Sequence, residues 1–296
     1  MTRFWRKPGN EKLGSARHRF RRALAKLPYV PVPVNLRVGP GDSIHFWWSY
    51  FAERLNEESG FLGYWGRDTG ELRFLWRVLK PGDTFLDVGA FHGVYSVVAG
   101  KRVTRQGTVI AFEPSPHDRA RLQLHLRWNG LRFARVEPFA IGAAESETSF
   151  FQVISKSPAR NYLKPPGNKE PVEKITVKVT SLDRYISQNG IQRVDLVRLD
   201  VEGGELEVLD GAAEMFKRIR PILICEVVDE TTAAWGYPAR EIVSRLSQAG
   251  YEWFECDADG GLIPHEIREG YPAVKNYVAV PGEKLSLVQL RSDSAR

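Results

Sequence analysis

Cysteine and methionine are scarce in this 296-residue chain, at two each. Cys225 and Cys256 stand apart in apolar, strand-like stretches, with no CxxC and no Cys/His cluster between them. That excludes a disulfide scaffold and a structural zinc site. No apolar run approaches the ~20 residues that a helix needs to cross a bilayer. The first residues, MTRFWRKPGN, lack the apolar core of a secretory signal, so a cytoplasmic location is expected.

Acidic residues are nearly missing from one place. Residues 1–27 carry nine Lys and Arg side chains against Glu11 alone, although the whole chain is only +6, so the remainder is slightly acidic. A basic body that tracks nucleic-acid phosphates is therefore not expected. The segment HRFRRALAKL reads either as a solvated tail or as a short basic amphipathic helix touching anionic membrane or an acidic partner.

What is present is an alternation. Strand-like TFLDV, TVIAF, FARVEPFA, SFFQVI, KITVKV, VDLVRLDV, PILICEVV, YEWFEC and NYVAVP are interleaved with helix-like GELRFLWRVL, VYSVVAGKRV, the stretch from Pro116 to Trp128, SLDRYISQ, GELEVLDGAAEMFK and AREIVSRLSQAG. Helices recurring between apolar strands call for an α/β fold, a mostly parallel sheet with helices on both faces. YEWFEC and NYVAVP have no helix between them, so an antiparallel edge is expected. The division along the chain is a basic extension over 1–40, a helical segment over 41–80 that packs on the core, a catalytic domain over 81–283 and a tail over 284–296. Residues 157–171, rich in Pro and Gly, read as a long loop inside the domain.

TFLDV runs into the turn GAFHG, where a strand stops and re-enters as a helix, a common way to hold a nucleotide. A dinucleotide fingerprint needs glycines where Phe91 and Val94 stand, and no Gly-Lys-Ser/Thr of a phosphate loop follows. Asp87 at the strand end, Gly89 and Gly93 in the turn and Glu113 at the end of the next strand instead suit an adenosine held by its ribose with no phosphate to cradle. S-adenosylmethionine is such a ligand, and a carboxylate at the turn suits its cationic amino group.

These pieces, with FEPSP, LHLRWNG, VKVTSLDRYI, VDLVRLDVEGGELEVLDGA and PILICEV in that order, make the chain from about Gly70 to Pro281 resemble the FkbM family of S-adenosylmethionine-dependent methyltransferases. The family usually has Asn where Phe91 stands and Lys where Arg198 stands. The resemblance implies the Rossmann-like class I methyltransferase fold, a seven-stranded, mostly parallel sheet with an antiparallel edge strand. It also implies cofactor contacts from Asp87, Gly89, Ala90, Phe91, His92, Gly93, Tyr95, Glu113, Pro114 and Ser115, with Ala140 beside the adenine. Tyr95 either closes over the cofactor tail or belongs to the core, and His92 is read first as a turn histidine that faces solvent and second as a proton acceptor beside the cofactor.

A second constellation, VRLDVEGGELEVL, puts Asp200 at a strand end with Glu202 just beyond; Glu226 ends the neighbouring strand, and Glu205 opens a helix. Strand ends at the carboxyl edge face the ligand crevice, so Asp200, Glu202 and Glu226 are the catalytic candidates. Asp200 is read first as a general base and second, with Glu226, as a ligand pair for a divalent metal such as magnesium. No NPPY or DPPY tetrapeptide is present to hold an amide or amine, and Cys225 lacks the preceding Pro of cytosine C5 enzymes. The resemblance implies O-methylation of a hydroxyl on a sugar, glycan or secondary metabolite, with Tyr64, Trp65 and Tyr162 as candidate stacking surfaces. The alternatives are a nitrogen acceptor and a catalytically silent adapter.

Overall fold

The computed structural model describes residues 31–39, 42–49, 69–153, 161–164 and 172–288. In chain order the strands are β1 (Pro31–Gly39), β2 (Asp42–Ser49), β3 (Thr84–Val88), β4 (Thr108–Phe112), β5 (Arg135–Glu137), β6 (Phe139–Ile141), β7 (Ser146–Val153), β8 (Asn161–Tyr162), β9 (Val172–Thr180), β10 (Leu196–Leu199), β11 (Ile222–Glu226), β12 (Tyr251–Cys256), β13 (Leu262–Pro264) and β14 (Asn276–Pro281). The helices are α1 (Thr69–Val78), α2 (Val94–Val103), α3 (Pro116–Trp128), α4 (Leu182–Gln188), α5 (Glu205–Asp210), α6 (Asp229–Thr232) and α7 (Arg240–Gln248).

The main sheet has eight strands in the order β13-β12-β14-β11-β10-β3-β4-β5. The run from β11 to β5 is parallel, and β14 pairs antiparallel with both β11 and β12. The antiparallel edge is as expected. It is one strand longer, because β13 adds outside β12. Residues alternate across the sheet: Phe85, Val109, Ala111 and Leu196 enter the core on one face, and Leu86, Val88, Ile110, Phe112, Val197 and Leu199 enter the core on the other. That period-2 division puts Asp87 and Arg198, which are partners in the β3–β10 register, on the same face.

The stretch FARVEPFA is two strands rather than one. β5 closes the main sheet, and β6 starts a second sheet, order β6-β9-β7-β8, with Pro138 between them. Proline has no N–H to give a ladder, so the chain can leave one sheet there and enter the next. Within the expected 157–171 loop, Asn161–Tyr162 is a short strand on β7.

The expected helical segment over 41–80 is corrected in its first part. Residues 42–49 form β2, antiparallel to β1, and among the described residues of this span the helix is Thr69–Val78. Leu36, Val38, Ile44 and Phe46 of this hairpin are buried in the core that also holds α1 and α2. Asn129 bonds the backbone of Trp47 in both directions, donating to its carbonyl (2.8 Å) and accepting from its N–H (2.9 Å). The expected helix GELEVLDGAAEMFK is likewise broken. α5 stops at Asp210, and a π-helical turn follows over Met215–Ile219. A Cβ on Gly211 would lie 2.1 Å from the Gly142 carbonyl, and the Asp183 carboxylate takes the Glu214 and Met215 N–H groups at 2.8 Å each.

Candidate functional site

At the carboxyl ends of β3, β4 and β10 the two sheets border a cavity open to solvent, with about 690 Å³ of space between and beyond its walls. Its wall includes Gly89 and Phe91 from the turn after β3, Glu113 and Pro114 after β4, Ala140 on β6, and Asp200 and Glu202 after β10. These are seven of the residues singled out in the sequence. Phe139, Ile141 and Phe150 supply apolar surface around Ala140.

The turn is built by close approaches. Gly89 has φ +81°, and a Cβ there would fall 1.8 Å from the Asp200 carbonyl, so only glycine lets the two strand ends meet. Phe91 also adopts positive φ, +50°, a conformation that a bulky side chain enters at a cost and that Asn tolerates better. Its N–H donates to Glu113 Oε2 at 2.8 Å, and Ser115 N–H donates to Glu113 Oε1 at 2.8 Å. The Glu113 carboxylate thus ties the β3 turn to the start of α3. Burial pushes its pKa up to about 8, with the nearby Asp118 adding to the rise against those two hydrogen bonds.

Asp87 is buried behind the turn and is not part of the cavity wall. It accepts from Ser96 Oγ at 2.5 Å, and its Oδ1 lies 3.8 Å from Arg198 Nη1. Burial raises its pKa, against the pull of Arg198 and Ser96. Arg198 itself reaches the wall, donating to the Gly89 carbonyl at 2.6 Å and to Asp200 Oδ2, with its guanidinium 4.9 Å from the Tyr95 ring centroid. Tyr95 is therefore a core residue under Arg198.

The expected solvent-facing His92 is corrected. It is buried, with Nε2 2.8 Å from Asp118 Oδ1, its ring stacked on Phe91 at 3.5 Å and its carbonyl 2.7 Å from His125 Nδ1. Burial drives the His92 pKa down to about 4, even with Asp118 beside it, so the ring is neutral at physiological pH. Burial opposes ionisation of Asp118 too, yet hydrogen bonds from His92, Ser115 and Asn161 hold it below the usual carboxylate range. Asn161 Nδ2 donates to Asp118 Oδ2 at 2.7 Å and Gln152 Nε2 donates to Ser115 Oγ at 2.6 Å, so the small sheet is fastened to the N-terminus of α3.

The loop after β10 has its own brace. Glu202 stands at φ +56°, and the buried Glu205 spans it, accepting from Val201 N–H at 3.1 Å and Gly203 N–H at 3.3 Å. Tyr237 OH adds a bond to the Gly203 carbonyl at 2.5 Å. Burial raises the Glu205 pKa to about 7. Glu205 was read only as a helix-opening acid; the E-G-G-E spacing is the signal that it can fold back on the turn. Arg198 was also legible, because residues two apart on a strand share a face with Asp200. Ala90, Gly93, Ser115 and Glu226 are not in the cavity wall, and Glu226 is buried at the end of β11. Among the described residues no group of three or more His, Cys, Asp or Glu comes together to hold a metal. Tyr64 and Trp65 lie outside the described residues.

Two buried carboxyls with raised pKa values make stability depend on pH in a defined sense. Relative to the ordinary 4.5, the stabilising contribution of each is complete below about 4.5 and is lost as pH rises through about 7 for Glu205 and about 8 for Glu113. The thermal midpoint is expected to fall between pH 6 and 9, and a Glu113→Gln, Glu205→Gln double variant to show a flatter profile by calorimetry. A wild-type midpoint constant over that range would refute the assignment.

A family model described as the methyltransferase FkbM domain matches residues 87–253. Among curated proteins, the chain is 28% identical to the AMB antimetabolite synthetase AmbE of Pseudomonas aeruginosa over 72% of its own length and 11% of that protein. It is 26% identical to Methyltransferase 1 of Beauveria bassiana over 44% of its own length and 59% of that protein. The chain thus spans less than two thirds of either relative. A methyltransferase FkbM from Methylobacillus flagellatus KT aligns in structure with a TM-score of 0.43 at 15% identity, over 69% of this chain and 47% of that one.

Proposed function

The chain belongs to the FkbM methyltransferase domain family, and from that premise we propose that it uses S-adenosylmethionine to methylate a hydroxyl of a sugar, glycan or secondary metabolite. The observation that carries this reading is the single cavity whose wall holds Gly89, Glu113 and Ala140 at one part and Asp200 and Glu202 at another. When bound, the cofactor supplies a methyl group on a sulfonium, with a neutral thioether as leaving group. The residues fit it. Glu113 sits at the wall with a carboxyl that burial makes hungry for donors, which suits ribose hydroxyls, and the apolar surface around Ala140 suits an adenine. Asp87 supports the turn from behind through Ser96 and Arg198.

The protein's own contribution is alignment and a proton acceptor. Arg198 fixes Asp200 through Oδ2, while Oδ1 accepts no hydrogen bond among the described residues and is free to receive an acceptor hydroxyl. Asp200 is already paired with Arg198, and Glu226 is buried outside the cavity wall, so the Asp200–Glu226 pair does not suit magnesium. The alcohol proton passes to Asp200 as the oxygen attacks.

Titration calorimetry with S-adenosylmethionine and S-adenosylhomocysteine tests the reading. Above about pH 8, where the Glu113 carboxyl is ionised, Glu113→Ala is expected to weaken S-adenosylhomocysteine by ~1.5–3 kcal/mol, the worth of a charge-assisted hydrogen bond, with the fold retained. Unchanged affinity would take Glu113 away from the ribose. Binding of neither ligand by the wild type would favour the silent adapter, for which the strained Phe91 in the cavity wall is the supporting observation. Residues 1–27 lie outside the described residues, and their basic charge supports a peripheral contact with anionic membrane. Deleting them is expected to abolish co-sedimentation with anionic vesicles at low salt and to leave S-adenosylhomocysteine affinity unchanged.

A further inference from the structure

Lys164 and Trp235 meet beside residues that line the cavity. On one side, Asn161 and Leu163 line the wall and Lys164 follows them directly. On the other, Val201 and Glu202 line the wall and Gly203 and Gly204 follow. The Trp235 indole lies on those two glycines: a Cβ on Gly203 would fall 2.8 Å from its Cδ1, and one on Gly204 would fall 3.1 Å from its Cζ2. Two missing side chains let a flat aromatic surface rest against the same loop that carries Asp200 and Glu202. Lys164 Nζ sits 4.4 Å from the centre of that ring, and no carboxylate pairs with it among the described residues.

An ammonium that holds an aromatic face without a counter-ion among the described residues is a cation with capacity to spare, and the indole beneath it is the kind of surface on which a sugar ring stacks. From this juxtaposition we propose that Trp235 and Lys164 form the acceptor subsite, and that it takes a hydroxylated ring bearing an anionic group, carboxylate or phosphate. On binding, Lys164 moves off the indole face to pair with the anion and the ring takes its place on Trp235, beside the loop that carries Asp200. This rests on the methyltransferase reading and narrows its acceptor class. It also moves the stacking surface from Tyr64 and Trp65 to a tryptophan in the turn after α6.

The test uses the full-length protein labelled with 5-fluorotryptophan and saturated with S-adenosylhomocysteine, with the Trp235 fluorine signal assigned from Trp235→Phe. Glucuronate, glucose 6-phosphate and glucose are titrated in parallel. At least one anionic sugar is expected to shift the Trp235 signal saturably with at least tenfold higher affinity than glucose, and Lys164→Met to erase that preference without altering S-adenosylhomocysteine binding. A carboxylate-only or phosphate-only response identifies which anion is read. The subsite is overturned by equal responses to all three sugars, by no response at Trp235, or by an anion preference that survives Lys164→Met. Calorimetry separates the two levels. If S-adenosylhomocysteine binds and the sugars fail these criteria, the subsite alone falls; if it does not bind, the methyltransferase reading falls and the subsite with it.

Discussion

Gly89→Ala is expected to abolish measurable binding of S-adenosylhomocysteine and to lower stability by about 2–5 kcal/mol. Two costs add. A residue with a Cβ resists φ +81° by roughly 1–2 kcal/mol. The new methyl would also sit 1.8 Å from the Asp200 carbonyl, so the strand ends must move apart, at a typical overpacking cost of about 1–3 kcal/mol. Because that carbonyl belongs to the loop holding Asp200 and Glu202, the displacement would open both parts of the cavity. Gly130→Ala is the control. It has a similar φ of +72° but nothing within 4 Å of its Cβ, so only the backbone cost, roughly 1–2 kcal/mol, should appear. Denaturant melts of both variants with a titration of each decide the matter; equal losses would show that the approach of Gly89 to Asp200 carries no weight.

Asp200→Asn is expected to lower turnover by ~10²- to 10⁴-fold once an acceptor is in hand, while the cofactor affinity stays near that of the wild type. The amide keeps the size of the side chain but cannot accept the alcohol proton, and it gives up the ion pair with Arg198. Glu226→Gln should be much milder, since Glu226 is not in the cavity wall, and chelator should leave the rate unchanged. If chelator abolished activity and magnesium restored it, with Glu226→Gln as harmful as Asp200→Asn, a metal would be at work. Near-full turnover in Asp200→Asn would leave Asp200 a structural role only.

Much of the frame was readable. TFLDV, TVIAF, YEWFEC and NYVAVP are strands over the residues read from their apolar pattern, and α3 starts at Pro116 with Ser115 accepting the Asp118 N–H at 3.2 Å, as a capped helix should. The hairpin before α1 was missed although its signal was present: Ile44 and Phe46 are buried while Ser43, His45 and Trp47 between them are exposed, a period of two. What could not be read is pairing at long range. His92 and Asp118 are brought together by the packing of α3, and burial of the turn histidine depends on that packing rather than on its neighbours in sequence. Lys164 and Trp235, far apart in the chain, meet only through tertiary packing. Asp87 looked like a ligand-facing acid because it ends a strand beside glycines, but its side chain follows the sheet alternation inward to Ser96.

The change of sheet at Pro138 makes residues 139–180 a block with its own strand ladder, tied to α3 by the side chains of Gln152 and Asn161. Every pairing of β6, β7, β8 and β9 is internal to the small sheet, and the block leaves the main sheet at Pro138 and hands over to α4 at Ser181. A chimera that exchanges 139–180 between relatives would keep every ladder of the main sheet, the glycine turn and Asp200 in their original partnership. It would replace Ala140 and Lys164 together. Diversification of what such a protein accepts could therefore proceed by swapping one cassette, with no need to redesign the floor on which the reaction takes place.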